Sequence, residues 1–448
     1  MSKMKVPENI AWYDRILAWS LIFLFFKKGC STANIPLGPV PDYLAYIFLV
    51  VSVALVYFAK SNFDLRVDWK TVGILSCLSI LMFRGTLISS KEFPSVDYEI
   101  LTALVVLLVA IALSRLAVAH AFNYFLKYCA GSAFLVSILN SVLGFRKFLS
   151  GAAGELVALN SEGGLGSSLT NDYNMSSLIT LIGILGGIHL ARQINVSMLK
   201  VPLYVIVAIV SVIPLLSGSR RYFIFWVAFS LFWTVIFLVD QVKNWSSLGL
   251  PSKMMSSVLG GGLLLVSFLF ILLTFGLLDA ALSLSPDHPL QALVKRYQTL
   301  AEIQSTMKDS RGFLLERGFE IWDSYTVSEM FFGRGFDYLE QIGEYVAVEY
   351  PHNPVVSAML YSGIIGGGVV FWFLFSPLFS IRKLFQMSFF VAGSFVACLF
   401  FLIVSGNTFA SVFQLPFFCV AARVILWSEG IMHESSSDAS CDDVAPTR

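Results

Sequence analysis

Between Asp42 and Lys60 the chain passes through an almost wholly apolar stretch without a single charged side chain. Lipid offers no partner to an unpaired backbone group, so a segment of about 20 such residues, enough to cross a hydrocarbon core of about 30 Å, has to be a helix. The same texture returns near residues 10–26, 42–60, 71–88, 99–118, 121–143, 172–190, 201–217, 221–239, 258–279, 354–378, 388–406 and 409–427. The expectation is therefore an all-α, polytopic transmembrane bundle of about twelve spans. Charged residues make up only 13% of the 448 positions, too few to coat soluble domains of this size. A formal net charge of +1 leaves no basic excess for displacing counterions from phosphates, which excludes a nucleic-acid partner. The six cysteines have neither metal-ligand spacing nor the density of a disulfide scaffold, and Cys77, Cys129, Cys398 and Cys419 inside apolar runs read as small hydrophobes. Asp14 and Arg15 interrupt any cleavable signal pattern, so the first apolar segment is expected to remain as an anchor.

Lys and Arg in the short connections set the orientation. With the amino end inside, Lys3 and Lys5, Lys60 with Arg66 and Lys70, Arg115 and Lys127, Arg192 and Lys200, Lys243 and Lys253, and Arg382 and Lys383 all fall on the cytoplasmic side. Only Lys27 and Lys28 break the pattern. An even number of spans with both ends cytoplasmic follows. The chain divides into spans one to nine (1–279), a large periplasmic loop (280–353), spans ten to twelve (354–427) and a tail (428–448) whose Ser-rich composition predicts disorder. Residues 144–171, rich in Gly and Ser, read as a flap. In the large loop Leu290, Leu293, Val294, Tyr297 and Leu300 repeat at helical spacing, as do Phe313, Leu314, Phe319, Ile321, Trp322 and Tyr325, which predicts amphipathic helices.

Ionisable groups in or beside spans are costly, so their common position is the best functional clue. Arg84 near the end of the third span, Arg220 and Arg221 beside the seventh, and His352 before the tenth are all expected at one face. The loop adds Arg311, Arg317 and Arg334. Arginine's planar fork suits a diphosphate, and an imidazole can accept a proton from an attacking hydroxyl near neutral pH. Plainer readings stand beside these: Arg84 and Arg221 as snorkelling anchors, and Asn353 before Pro354 as a helix cap. Glu316 and Glu320, one turn apart, read as a solvated helix surface.

Ser217-Gly218-Ser219-Arg220-Arg221, then Arg317 with Trp322 leading to Phe332-Gly333-Arg334-Gly335, then His352-Asn353 and Ser362-Gly363-Ile364-Ile365-Gly366, resemble the O-antigen polymerase and O-antigen ligase superfamily. The resemblance covers residues 170 to 380; the first 140 residues share only hydropathy. Asn174, in Asn171-Asp172-Tyr173-Asn174, matches the family's Asn at the entry to the sixth span. The resemblance implies a C-type membrane glycosyltransferase in the bacterial inner membrane, free of metal and cofactor, taking an undecaprenyl-diphosphate-linked oligosaccharide as donor. Its roles carry over to Arg220 as the donor diphosphate ligand, to Arg317 or Arg311 as the loop arginine, and to His352 as the base for the acceptor hydroxyl. Arg334 stands where many relatives have a small aliphatic residue. A chain-length regulator and a flippase are the protein partners implied, besides membrane lipid. Polymerase is favoured over ligase, whose motifs overlap. A flippase or other transporter would instead place its ionisable residues near the bilayer midplane.

Overall fold

The computed structural model describes residues 10–35, 41–59, 69–90, 94–116, 119–149, 173–194, 197–214, 219, 221–228, 310–343, 351, 353–405 and 414–426. Among them every regular element is helical. They are α1 (Trp12–Thr32), α2 (Asp42–Ala59), α3 (Trp69–Ile88), α4 (Pro94–Arg115), α5 (Ala119–Leu149), α6 (Tyr173–Gln193) and α7 (Ser197–Val212). After these come α8 (Ser310–Asp323), α9 (Val327–Phe332), α10 (Tyr338–Gly343), α11 (Pro354–Phe375), a 3-10 turn (Ser376–Ser380), α12 (Ile381–Met387), α13 (Phe389–Ser405) and α14 (Leu415–Leu426).

Among the described residues five helical stretches are long and apolar enough to cross a membrane: Asp42–Ala59, Lys70–Ile88, Ala121–Arg146, Asn174–Gln193 and Pro354–Met387. They coincide with the second, third, fifth, sixth and tenth expected spans. Ile100–Arg115, Leu199–Val212, Phe389–Ile403 and Leu415–Leu426 are shorter apolar helices at four further expected positions. The first expected span is helical to Thr32, well past its apolar part. The eighth is described only over its helical residues 221–228, and the ninth lies outside the described residues. Apolar helices still need their polar side chains satisfied, and Ser52, Ser79, Ser114 and Ser362 do this by donating to the carbonyls of Phe48, Leu75, Ala110 and Ala358 one turn back, at 2.7 to 2.9 Å.

The chain forms two compact units. One comprises Met1–Ser137, Leu181–Val207 and Asp309–Arg448, the other Ile138–Thr180 and Ala208–Lys308. In the first unit α1 packs on α2, α3 on α4, and α11 on α3, α8 and α9. Small residues let helices approach closely: a Cβ at Gly186 would strike the Ala130 backbone, and one at Gly187 would meet Phe134 and Val207. Lys27 and Lys28, the exceptions to the charge pattern, sit near the end of α1 and are held by Asp42 at the start of α2, at 3.2 and 2.8 Å, with the Ser31 hydroxyl donating to the same carboxylate at 2.9 Å. A carboxylate on the adjoining helix thus compensates two buried ammonium groups.

The expected amphipathic loop helix over Phe313–Tyr325 is present as α8 and the residues just after it. Leu314, Ile321 and Tyr325 are buried, and Gly318, in register with them, packs against Val356 and Pro351 at the head of α11. The flap expected at 144–171 is helical over 144–149, the last turns of α5; its remainder, the repeat from Leu290 to Leu300 and the tail from 428 lie outside the described residues.

Candidate functional site: a sealed helix break and a polar helix mouth

α11 is not one helix. Gly363, at φ 72° and ψ −171°, breaks it into 354–362 and 364–375. In an unbroken helix the carbonyls of Leu360 and Tyr361 would accept from the N–H groups of Ile364 and Ile365. Here they accept from the backbone N–H groups of Arg334 and Gly335, both at 3.2 Å. The Tyr325 phenol also donates to the Leu360 carbonyl, at 2.9 Å. The segment Phe332-Gly333-Arg334-Gly335-Phe336 therefore replaces the hydrogen bonds that the break removes. At membrane depth such groups need protein partners, because lipid supplies none.

Glycine is required on both sides of this junction. Gly333 and Gly335 have φ of 75° and 82°. A Cβ on Gly333 would run into the Tyr361 carbonyl, one on Gly335 would come within 2.8 Å of the Gly85 carbonyl oxygen, and one on Gly363 would overlap the Phe331 backbone. The two glycine-containing motifs singled out in the sequence are thus two faces of one backbone-to-backbone contact. Phe336 stacks on Tyr361 with ring centroids 4.8 Å apart and planes at 21°, and both rings are fully buried.

The end of α3 completes the junction. The Ser89 hydroxyl accepts from the Phe336 N–H at 2.7 Å and donates to the Gly85 carbonyl at 2.7 Å. Asp337 accepts from the Ser90 N–H at 2.8 Å and from its hydroxyl at 3.0 Å. Arg84 donates to the carbonyl of Phe332, and its guanidinium lies 5.8 Å from the centre of that ring. Arg84, expected to bind substrate or to snorkel, is engaged here in closing the carboxyl end of α9.

The other loop cations differ in how far they are engaged. Arg317 donates to Glu320 at 2.6 Å, one turn along α8; Glu316 and Glu320 are both exposed, as a solvated surface requires. Arg334 is exposed and lies 3.7 Å from Glu329. Its backbone is pinned between two glycines while its guanidinium remains accessible. Glu329 and Thr326 form a capping box: the carboxylate accepts from the Thr326 N–H at 2.8 Å, and the Thr326 hydroxyl accepts from the Glu329 N–H. The backbone hydrogen bond from Thr326, then the bond from its hydroxyl, hold the Glu329 carboxyl below its ordinary value, with Arg334 adding to the effect. Burial pushes the Tyr325 phenol upward, so it stays a neutral donor.

Asn353 caps α11: its side chain accepts from the N–H groups of Val355 and Val356 at 3.0 and 3.2 Å, with Pro354 following at the first helical position. His352 lies outside the described residues, as do Arg220 and the side chain of Arg311.

In the second unit, Asn174 in the first turn of α6 accepts from the Ser219 hydroxyl at 3.1 Å. Ser219 in turn accepts from the Tyr222 N–H at 3.3 Å, and Tyr222 donates through its phenol to the Ser211 carbonyl at 2.7 Å. Asn174 is thus brought onto the Ser-Gly-Ser-Arg-Arg run whose last residue, Arg221, is buried. Deeper in this unit Asn140 of α5 donates to the Ser176 and Thr180 hydroxyls of α6 at 2.9 and 3.0 Å. Asn140 was not anticipated, though a lone amide in an apolar helix was its signal. Among the described residues no three His, Cys, Asp or Glu side chains converge as a metal ion would need.

The described residues thus form an all-helical protein with helices long and apolar enough to cross a membrane, one of them broken where a loop segment seals the freed carbonyls. Comparison with family models, with curated proteins and with solved structures finds no match to this chain.

Proposed function

We propose that this protein is a membrane glycosyltransferase of the O-antigen polymerase type. In this reading it has about twelve spans in the bacterial inner membrane, both termini in the cytoplasm, and residues 280–353 on the periplasmic side. It would transfer an undecaprenyl-diphosphate-linked glycan onto another lipid-linked repeat unit. The observation that carries the reading is the interlock of Gly333 and Gly335 with the Gly363 break: motifs some thirty residues apart, chosen on sequence resemblance, meet as one built junction. The meeting of Asn174 with Ser219 supports it from the other unit.

The reaction is a displacement. An acceptor hydroxyl oxygen attacks the anomeric carbon while the bond from that carbon to the diphosphate oxygen breaks, and the leaving group departs with the electron pair. His352 takes the hydroxyl proton. Arg220 and a loop arginine, Arg317 or Arg311, offset the charge that grows on the diphosphate at a poorly hydrated mouth. Direct displacement inverts the anomeric configuration. Arg221 adds positive charge beside Arg220. Arg334, exposed on a rigid backbone, is suited to the glycan or diphosphate; Arg84 and Asn353 serve by holding the loop and the head of α11 in place.

Two other readings remain distinct. A ligase would use the same donor but transfer the glycan to the lipid A core. A flippase or transporter would also use a broken membrane helix, but at Gly363 the freed carbonyls of Leu360 and Tyr361 are bonded to Arg334, Gly335 and Tyr325, and so do not face a solute path. Deletion followed by complementation, with lipopolysaccharide profiled on a gel, separates the cases. A core carrying one repeat unit indicates a polymerase, and a bare core with accumulating lipid-linked polymer indicates a ligase. His352→Ala and Arg220→Ala are expected to reproduce the deletion pattern at normal protein level. A full ladder from both variants rules out the site.

A further inference from the structure

α9 has only six residues, far below the length at which a helix persists in water without tertiary support. Its two ends are nevertheless closed. Thr326 and Glu329 cap the start, and Arg84 takes the Phe332 carbonyl at the finish. Closed ends are what a short helix needs where water is scarce. Its exposed flank is apolar: Val327 is 73% exposed, Phe331 51% and Phe332 49%.

This flank continues a surface that lipid must already cover. α3 exposes Ile80, Phe83 and Leu87 in one stripe, and α11 exposes Ile364 and Ile365 just past the break. Phe332 lies against Arg84, next to Phe83 in α3, and the Phe331 backbone lies against Gly363, next to Ile364. α9 is thus joined to α3 through Arg84 and to α11 through Gly363, at the residues next to the exposed Phe83 and Ile364. Depth agrees with this. α3 has 20 residues, about 30 Å at 1.5 Å per residue, which is no more than the hydrocarbon thickness. Arg84 stands four residues, about 6 Å, inside its end. A helix docked at that level lies at the boundary between acyl chains and headgroups, where aromatic side chains are favoured.

We propose that the Val327, Phe331 and Phe332 flank of α9 is a membrane-docking surface, seated among bilayer lipid beside the end of α3, so that the glycine-rich segment following it is anchored to the membrane as well as to α11. This holds whatever reaction the protein performs. The test is spin-label accessibility in liposomes of phosphatidylethanolamine and phosphatidylglycerol. Nitroxides are placed at Val327→Cys and Phe331→Cys, with Leu87→Cys as the lipid-facing reference and Asp323→Cys as the aqueous one; unlabelled-site background comes from the parent protein. At both α9 positions collision with oxygen is expected to exceed collision with a nickel chelate severalfold, as at Leu87→Cys. Nickel collisions in excess, as at Asp323→Cys, place the flank in water and overturn the proposal. Low collision with both reagents means that protein covers it, which overturns it equally. The two α9 positions are read separately, with melting in detergent as the folding control, so that one misfolded variant leaves the other decisive.

Discussion

The phenol of Tyr325 donates to the carbonyl of Leu360 at 2.9 Å, tying the turn between α8 and α9 to the last turn of the first half of α11. That carbonyl also receives the Arg334 N–H. One oxygen thus joins the start and the end of the loop segment to the broken helix, and the consequences can be measured.

Gly363 and Gly368 share α11 but not its strain. Gly363 has φ 72° and ψ −171°, a region open in practice only to glycine, and the Phe331 backbone fills the space a Cβ would need. Gly368 has nothing within 4 Å of that position. Gly363→Ala is expected to cost about 1–3 kcal/mol from strain alone and more from overlap, whereas Gly368→Ala should be neutral or stabilising by up to about 1 kcal/mol. Thermal melting in detergent checks both, and equal melting temperatures would refute the account of the break.

Acid should loosen α9 through Glu329. Its carboxyl titrates below the ordinary value of 4.5, so the stabilisation it contributes is fully present above that value and is lost as the pH falls through the lower, folded-state value. Melting temperature is therefore expected to fall as the pH drops below about 4.5. Glu329→Gln should already lack part of this stability at pH 7 and show a shallower fall in acid. A variant that melts with the parent's pH profile would remove Glu329 from the cap.

Arg84→Met keeps the apolar stem but leaves the Phe332 carbonyl without its donor and the ring without its cation. The expected cost is about 1–3 kcal/mol of stability. Substrate affinity, measured on protein that remains folded, should change little, because the guanidinium already serves the loop. A large loss of affinity at unchanged melting temperature would return Arg84 to the substrate.

Asn140→Leu removes the donor shared by Ser176 and Thr180. Hydrogen bonds between membrane helices are modest, so the expected loss is about 0.5–2 kcal/mol. Activity should fall no further than the loss of folded protein accounts for; a larger fall would mean that α5 also holds the Asn174 end of α6 in register.

The helices were legible in the sequence, because a lipid solvent imposes helical hydrogen bonding on any long apolar run and so makes composition nearly sufficient. Asn353 as a cap was legible too, since Asn followed by Pro is a local signal that needs no partner elsewhere. Leu314, Ile321 and Tyr325 on the buried side of α8 and just past it followed from their period, whereas Phe319 of the same repeat is exposed. Other features could not be read that way. Lys27 and Lys28 looked like exceptions to a charge rule until Asp42, on the next helix, was seen to hold them. Arg84 looked like a ligand or an anchor, and only the fold brought it to a carbonyl 248 residues away. The glycines at 333, 335 and 363 were visible as a pattern, but their reason was not, because a positive φ and a forbidden Cβ are defined by the backbone that lies opposite. The sequence by itself determined which segments are apolar enough to enter lipid and that Asn353 caps one of them. The tertiary structure decided which polar groups answer the broken helix, because a hydrogen bond across hundreds of residues depends on where both partners come to rest, and no local pattern encodes that.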